Sequence, residues 1–166
     1  MGRCPLEVTP NDEVYVVSKN FIDPELPVAC WELRVDWMVE EPYSLTYEEL
    51  TSLSCVEEFI TMECISNHVG GDLISNAKRR GVPLNDLLER ARLKPGVADI
   101  ASFARGGYSE SLPLEMALES RVLIAYMMNG ELLPIKYGFH ARLGISIMPL
   151  TITVGWLPVL TPTGPA

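Results

Sequence analysis

The sequence predicts a single α+β domain, and three observations support this prediction. The chain has 166 residues, which is enough for one domain with its own hydrophobic core but short for two. Several short segments alternate apolar and polar residues with period two, which is typical of half-buried strands. Other segments carry apolar residues at helical spacing, and they lie between the strands. Short strands separated by two or three helices favour an α+β domain.

Strands are predicted where apolar residues alternate or form short runs, at residues 13–18, 31–39, 59–63, 97–103 and 122–127. In the second of these segments, the alternate positions carry apolar side chains: Trp31, Leu33, Val35, Trp37 and Val39. A half-buried strand with this face turned toward the core is the expected result.

Helices are predicted at three places. Thr46 followed three residues later by Glu49 forms a capping-box pattern, so a helix should begin there and turn Leu50 inward. Residues 84–91 carry one apolar stripe and have a proline directly before them. Residues 114–118 can form a third, short helix.

The overall charge and the cysteines exclude several classes of protein. A net charge of −9 argues against nucleic acid and anionic membranes as main partners, since both need a cationic surface. The four cysteines form no C-x-x-C pair and no zinc spacing with His68 and His140, while disulfides stay open. No secretory signal and no run of roughly 18 apolar residues is visible, so a soluble chain without a membrane segment is expected.

A candidate site begins where the third predicted strand ends. Cys64 closes this strand and is followed by Asn67 and by Gly70-Gly71, so a thiol stands at the mouth of a flexible loop. Taken alone, a cysteine at such a position is more often a small buried hydrophobe. The run Lys78-Arg79-Arg80, taken alone, favours a solvated turn, and Arg142 is an isolated cation.

Three segments in this order resemble the sulfite-oxidase-type molybdopterin-binding domain. They are residues 61–71 around Cys64, residues 106–114 (Gly-Gly-Tyr-Ser-Glu-Ser-Leu-Pro-Leu) and residues 123–134, which include Asn129-Gly130-Glu131. The resemblance covers roughly residues 9–142 and implies this family's α+β fold, with a mixed central sheet and flanking helices. It also implies a molybdenum–molybdopterin cofactor with Cys64 as the protein thiolate on the metal. Thiolate is a soft ligand suited to a metal that the cofactor already binds through sulfur.

The resemblance also assigns roles to further residues. Tyr108 matches a tyrosine beside the metal, so Cys64 and Tyr108 are the expected catalytic residues. The cofactor-binding residues are expected to be Ser18, Lys19, Asn20, Asn67 and Arg142. These offer cations and amides, which suit the phosphate of the pterin.

The chain departs from the family at several positions. The family's His-Gly-Phe-Pro turn is replaced by Tyr137-Gly138-Phe139-His140, Gly106 stands where aspartate is usual, and Arg79 where tryptophan is usual. After Leu143 the resemblance ends and an uncharged, proline-rich segment follows. The sequence therefore predicts a molybdopterin-binding domain at residues 9–143 and a divergent apolar tail at residues 144–166. The tail can form a terminal strand, with a frayed end from Leu160.

The implied function is that of a molybdopterin-dependent oxidoreductase with two-electron oxygen-atom transfer on a small oxyanion or a sulfoxide. Because no haem-attachment motif is present, electrons would pass to a separate carrier. The chain as written is expected to be cytoplasmic and monomeric. Two alternatives stay open. The first is a catalytically silent or truncated family member that acts at most as a weak cofactor-binding or interaction domain. The second is an unrelated binding module whose apolar C-terminal strand pairs with a partner edge.

Overall fold

The computed structural model describes residues 8–16, 26–64, 66–104, 109–145 and 159–163. The strands in chain order are β1 Glu32–Val35, β2 Tyr43–Thr46, β3 Val56–Glu63, β4 Ile74–Pro83, β5 Asp99–Phe103, β6 Ser109–Pro113, β7 Val122–Met128, β8 Glu131–Leu132, β9 Arg142–Ile145 and β10 Val159–Thr163. The helices are α1 Tyr47–Ser52, α2 Leu84–Ala91 and α3 Leu114–Ala117. Single 3₁₀ turns lie at Val28–Cys30 and Ile135–Tyr137.

The described strands form two sheets. The first has the order β2-β1-β10-β5-β6 and is mixed, because β1 and β10 run parallel while its other pairs are antiparallel. The second has the order β3-β4-β7-β8, with β9 also paired to β7, and is antiparallel throughout. The predicted α+β class is confirmed, with the strands divided between two sheets.

The three helices begin where the sequence places them. At α1, the Thr46 side chain accepts a hydrogen bond from the Glu49 N–H, and the Glu49 carboxylate accepts one from the Thr46 N–H at 2.8 Å. This reciprocal pair satisfies two donors that a helix start leaves unpaired. Helix α2 buries Leu84, Leu87, Leu88 and Ala91, so its stripe is core as predicted.

Two hydrophobic clusters of buried residues are present in the described part of the chain. The larger joins α1, α2 and both sheets, and its fully buried members include Leu33, Leu50, Leu88 and Ile124. The smaller lies at the other end of β4 and contains Val14, Ala77, Met128, Leu133 and Tyr137.

The second predicted strand is shorter than expected. β1 ends at Val35, and Trp37 takes a positive φ of 79° with 74% of its surface exposed. The prediction that Trp37 shares the buried face is therefore wrong, because the left-handed backbone at this residue interrupts the period-two alternation. Val39 returns to the interior through an isolated bridge to Leu93.

The predicted first strand is also absent from its described part. Residues 13–16 form a turn and an irregular segment rather than a strand, and residues 17 and 18 lie outside the described residues. Side-chain hydrogen bonds hold the segment instead, since Asn129 donates to the Thr9 carbonyl at 2.9 Å and the Tyr137 hydroxyl to the Val14 carbonyl at 2.6 Å.

The C-terminal strand lies inside the first sheet. β10 pairs in parallel with β1, where Arg34 is opposite Val159, and antiparallel with β5, where Thr161 is opposite Ala101. The prediction of a frayed end is wrong for residues 160–163. An uncharged segment can insert between two strands without burying a charge, and the partner strands are distant in the sequence.

Candidate functional site

Cys64 directly follows β3 and is half-buried at the start of the connection to β4. Its N–H donates to the Leu73 carbonyl at 2.9 Å, which continues the β3–β4 pairing by one step. Its Sγ lies 3.0 Å from the Ser66 hydroxyl. The thiol is therefore held at a defined place at the mouth of the loop, as the sequence predicted.

Asn67 organises the loop that follows Cys64. Its N–H donates to the Cys64 carbonyl at 2.8 Å, its side-chain amide donates to the Glu63 carboxylate at 2.9 Å, and its side-chain oxygen accepts from the Leu73 N–H at 3.1 Å. Gly71 packs against this side chain so closely that a Cβ there would lie 2.3 Å from Asn67 Oδ1. Both polar atoms of the side chain thus fix the loop, and the predicted cofactor contact of Asn67 stays a prediction.

Arg79 is buried in β4, so the prediction of a solvated turn at Lys78-Arg79-Arg80 is wrong. All three residues belong to the strand, and alternation turns Arg79 inward with 1% of its surface exposed while Lys78 and Arg80 face outward. Its Nη2 donates to the Met62 sulfur at 2.9 Å. Its Nε and Nη1 have no hydrogen-bond partner in the described part of the chain.

Arg142, the first residue of β9, lies buried near Arg79. Its Nη1 donates to the Tyr137 carbonyl at 3.3 Å, and the side chain runs against Gly138, where a Cβ would lie 3.3 Å from Arg142 Cβ. Burial, followed by the charge of Arg142, lowers the pKa of Arg79 to about 9, while Tyr15 and Tyr137 act in the opposite direction. Two guanidinium groups thus face one buried region.

A small cavity of about 20 Å³ is lined by Arg142 and by Met62, whose sulfur accepts the hydrogen bond from Arg79. Its lining includes Tyr15, Val16, Met62, Lys136, Tyr137 and Arg142. The volume exceeds what one buried water molecule needs. Met62 precedes Cys64 by two residues, and Val16 precedes Ser18 by two, so the cavity adjoins two of the predicted site segments.

The predicted site residues divide into two groups. Cys64, Asn67 and Arg142 are described, and Met62 links the strand before Cys64 to the cavity at Arg142. The others, Ser18, Lys19, Asn20 and Tyr108, lie outside the described residues.

Sequence reasoning missed Arg79 as a site residue. The signal was present, because Ala77, Arg79 and Gly81 alternate with polar residues ahead of the apolar run into α2, and this spacing is typical of inward positions on a strand.

A second thiol lies on the outer side of β4. Arg80 Nε donates to Cys55 Sγ at 3.1 Å. The hydrogen bond with Tyr126, then that with Arg80, lowers the pKa of the Cys55 thiol.

Among the described residues, no group of three or more His, Cys, Asp or Glu side chains is arranged to hold a metal ion. A metal bound mainly by a cofactor and one protein thiolate needs no such group. No helix in the described ranges is long and apolar enough to cross a membrane.

Comparison with known proteins identifies the family. Residues 20–163 match the family described as the oxidoreductase molybdopterin binding domain. Nitrate reductase [NADH] 1 of Arabidopsis thaliana is 26% identical over 163 residues, covering 81% of this chain and 18% of that protein. The uncharacterized oxidoreductase YuiH of Bacillus subtilis is 30% identical over 112 residues, covering 68% of this chain and 54% of that protein.

The fold agrees with a solved structure of low sequence identity. The sulfane dehydrogenase SoxCD from Paracoccus pantotrophus superposes with a TM-score of 0.85 at 23% identity, covering 97% of this chain and 45% of that one. The chain thus spans only part of the relatives that it matches. The family match also continues to residue 163, beyond Leu143, where the motif resemblance ended. The chain belongs to the molybdopterin-binding oxidoreductase domain family.

Proposed function

We propose that this domain carries out two-electron oxygen-atom transfer on a small oxyanion or a sulfoxide, with Cys64 as the protein ligand of molybdenum. The observation behind the proposal is the position of Cys64, a half-buried thiol at a loop ordered by Asn67. Met62, on the strand that leads to this thiol, lines a cavity together with the buried Arg142. The family supplies the cofactor class, molybdenum–molybdopterin, and the oxidoreductase character.

The described residues fit such a cofactor in two respects. A thiolate suits a metal bound through sulfur, and Cys64 is half-buried at a loop mouth rather than inside the core. The pterin carries a phosphate, and the buried guanidinium of Arg79 has two nitrogen atoms, Nε and Nη1, without a hydrogen-bond partner in the described ranges. Buried donors of this kind are expected to be satisfied by a bound anion.

Each protein residue has a limited task in this proposal. Cys64 holds the metal, while Asn67 and Gly71 keep the loop in place. Arg142, with Ser18, Lys19 and Asn20, binds the pterin, and Tyr108 hydrogen-bonds the substrate. The bound cofactor supplies the two-electron chemistry, and the protein orients the substrate and provides its electrostatic environment.

The partners follow from the same proposal. The substrate is a small oxyanion or a sulfoxide, and a separate carrier or partner domain exchanges electrons with the cofactor. We further propose that the chain is monomeric.

A catalytically silent family member is the alternative. Two residues that depart from the family turn are built into the interior: Tyr137 packs in the smaller cluster, and the ring of His140 lies 5.6 Å from that of Tyr47. Both residues therefore have structural roles here, which a domain can keep after losing the cofactor.

Metal and pterin analysis of protein made in a molybdenum-replete, cofactor-competent host separates the two candidates. We expect molybdenum and pterin in the purified protein and their loss in Cys64→Ser. Cys30→Ser is the matched control, because Cys30 is an exposed free cysteine. Wild-type protein that contains neither molybdenum nor pterin would contradict the proposed enzymatic function. Full activity in Cys64→Ser would contradict the proposed role of Cys64 as the protein ligand of molybdenum.

A further inference from the structure

The environment of Arg79 is unusual for a buried cation. Its guanidinium is almost fully buried, yet none of the ion pairs in the described part of the chain includes it. Glu58 is its register partner on β3, but the two residues form no ion pair there. Burying an unpaired charge is strongly unfavourable, so a partner of opposite charge is expected.

The charges that act on Arg79 come from several elements. Arg142 on β9 is a second cation, and Tyr15 and Tyr137 face Arg79 from the N-terminal segment and the 3₁₀ turn before β9. Lys136 and Arg142 are the two cationic residues among the described residues that line the cavity. No carboxylate is among the groups that influence the Arg79 charge in the described residues. The region is therefore positive and suited to an anion.

Among the described residues, the sulfur of Met62 accepts the one hydrogen bond that the Arg79 side chain donates. A thioether sulfur is a weak acceptor, and methionine is flexible enough to change rotamer at little cost. If Met62 turns away, the small cavity that it lines extends toward the Arg79 guanidinium. Two oxygens of one anionic group can then meet the fork of N–H donors.

We propose that Arg79 and Arg142 together bind a single oxyanion group, which displaces the sulfur of Met62 from Arg79. This rests on the proposed function, because the natural occupant is the phosphate of the cofactor or a free oxyanion of the substrate class. The contact departs from the family pattern, because the resemblance places Arg79 where tryptophan is usual.

The test uses cofactor-free protein and simple anions. Thermal unfolding is followed with increasing sodium sulfate, phosphate or nitrate at constant ionic strength maintained with sodium chloride. We expect the wild type to be stabilised in a saturable manner and Arg79→Met to bind about tenfold or more weakly, the loss expected for a charge-assisted hydrogen bond. Arg80→Met is the matched control, because it removes an exposed cation next in sequence, and it should keep the wild-type response.

Two further variants sharpen the result. Met62→Leu removes the sulfur acceptor but keeps an apolar side chain, so anion affinity should be kept or raised. Arg79→Lys keeps the charge without the planar fork, and its affinity should fall between those of the wild type and Arg79→Met.

Repeating the anion titration with cofactor-loaded protein distinguishes the two possible occupants, the cofactor phosphate and a free oxyanion. A response that disappears on loading identifies the cofactor phosphate as the occupant, and a response that persists identifies a free oxyanion. A wild type that responds no more than to chloride, or an Arg79→Met variant that responds like the wild type, would overturn the site. Protein that never binds molybdenum but keeps the sulfate response would reject the proposed function and leave this site standing.

Discussion

The two hydrophobic clusters of this domain differ in the polar groups that they contain. The buried members of the larger cluster, under α2, are apolar side chains and the rings of Trp31 and Tyr126, and the buried ring of His140 packs against Trp31. The smaller one, around Tyr137, shares its region with the buried Arg79 and Arg142. A cluster that serves only stability is expected to exclude a buried charge such as that of Arg79, which forms no ion pair in the described residues, whereas an anionic ligand would be attracted by it. From this comparison we expect one end of β4 to serve stability and the other to bind the proposed anion.

Strand β4 connects the two clusters, and its burial changes along its length. From Ile74 to Arg80 buried and more exposed residues alternate, whereas Gly81, Val82 and Pro83 are all buried as the chain enters α2. The register with β7 shifts between Arg80 and Gly81, at a β-bulge or similar irregularity. A Cβ on Gly81 would lie 2.3 Å from the Ile124 carbonyl oxygen, so only glycine allows this close approach. The change from the alternating to the fully buried part falls at this point.

The largest change in stability is expected in the larger hydrophobic cluster, under α2. Leu88→Ala removes a fully buried side chain from α2 and should lower the free energy of unfolding by about 2–5 kcal/mol. Urea denaturation followed by circular dichroism measures this change. The sulfate response of the folded variant should stay unchanged, and a lost response would show that the two ends of β4 are not independent.

A change of opposite sign, a gain in stability, is expected in the smaller cluster around Tyr137. Arg79→Met replaces a buried charge by an apolar side chain of similar length and should raise the free energy of unfolding of cofactor-free protein by about 1–4 kcal/mol. The measurement is made in chloride buffer without other anions. Arg80→Met should change stability by less than about 0.5 kcal/mol, as expected for a surface site. A strong loss of stability in Arg79→Met would show that the arginine is a structural element rather than a ligand-binding one.

Local patterns predicted the elements that depend on neighbouring residues, and failed where distant residues decide. The capping box at Thr46 and the stripe of α2 were sufficient to locate two helices. Arg79 was misassigned because three consecutive cations favour solvent, whereas strand pairing on both sides turns the middle one inward. The strand Val159–Thr163 was missed because both of its partner strands lie far away in the sequence.

The candidate site shows the same division. The position of Cys64 at a loop mouth was predicted from alternation that ends in polar residues and glycines. The side chain of Asn67 donates a hydrogen bond to Glu63 and accepts one from the Leu73 N–H. These bonds could not be predicted, because they form only in the folded loop. The proximity of Arg142 and Arg79 likewise depends on the pairing of β4 and β9 with the same strand, β7.

A smaller effect is expected in the Cys64 loop. Gly71→Ala would place a Cβ 2.3 Å from Asn67 Oδ1 and 3.0 Å from the His68 carbonyl, so the loop must shift and the bond from Leu73 N–H weakens. We expect a loss of about 1 kcal/mol in stability, the typical value of one hydrogen bond, together with lower molybdenum content. Gly96→Ala is the control with open space around its Cβ, although its positive φ adds some strain. Unchanged molybdenum content in Gly71→Ala would show that loop order does not control metal binding.

The cap of α1 should contribute a similar or smaller amount to stability. Thr46→Ala removes both hydrogen bonds that its side chain makes with Glu49 and should lower the free energy of unfolding by about 1 kcal/mol. Chemical denaturation measures the change, and Ser52→Ala, at the exposed end of the same helix, is the comparison variant. Equal losses of unfolding free energy in the two variants would show that the capping box contributes no more to stability than the Ser52 side chain does.

The smallest effect concerns pH and the buried His140. Burial lowers the pKa of this imidazole below its usual value of 6.5, and its Nε2 has no hydrogen-bond partner in the described part of the chain. Between the folded pKa and 6.5 the unfolded chain binds more protons than the folded one, so stability falls as pH decreases below 6.5. His140→Phe removes this titration and keeps an aromatic ring against Trp31 and Tyr47. Comparing unfolding free energies from pH 7.5 to pH 5.5 should therefore give a difference between variant and wild type that grows in favour of the variant at low pH. A difference independent of pH would show that His140 titrates normally, and that its buried position costs the folded domain nothing on protonation.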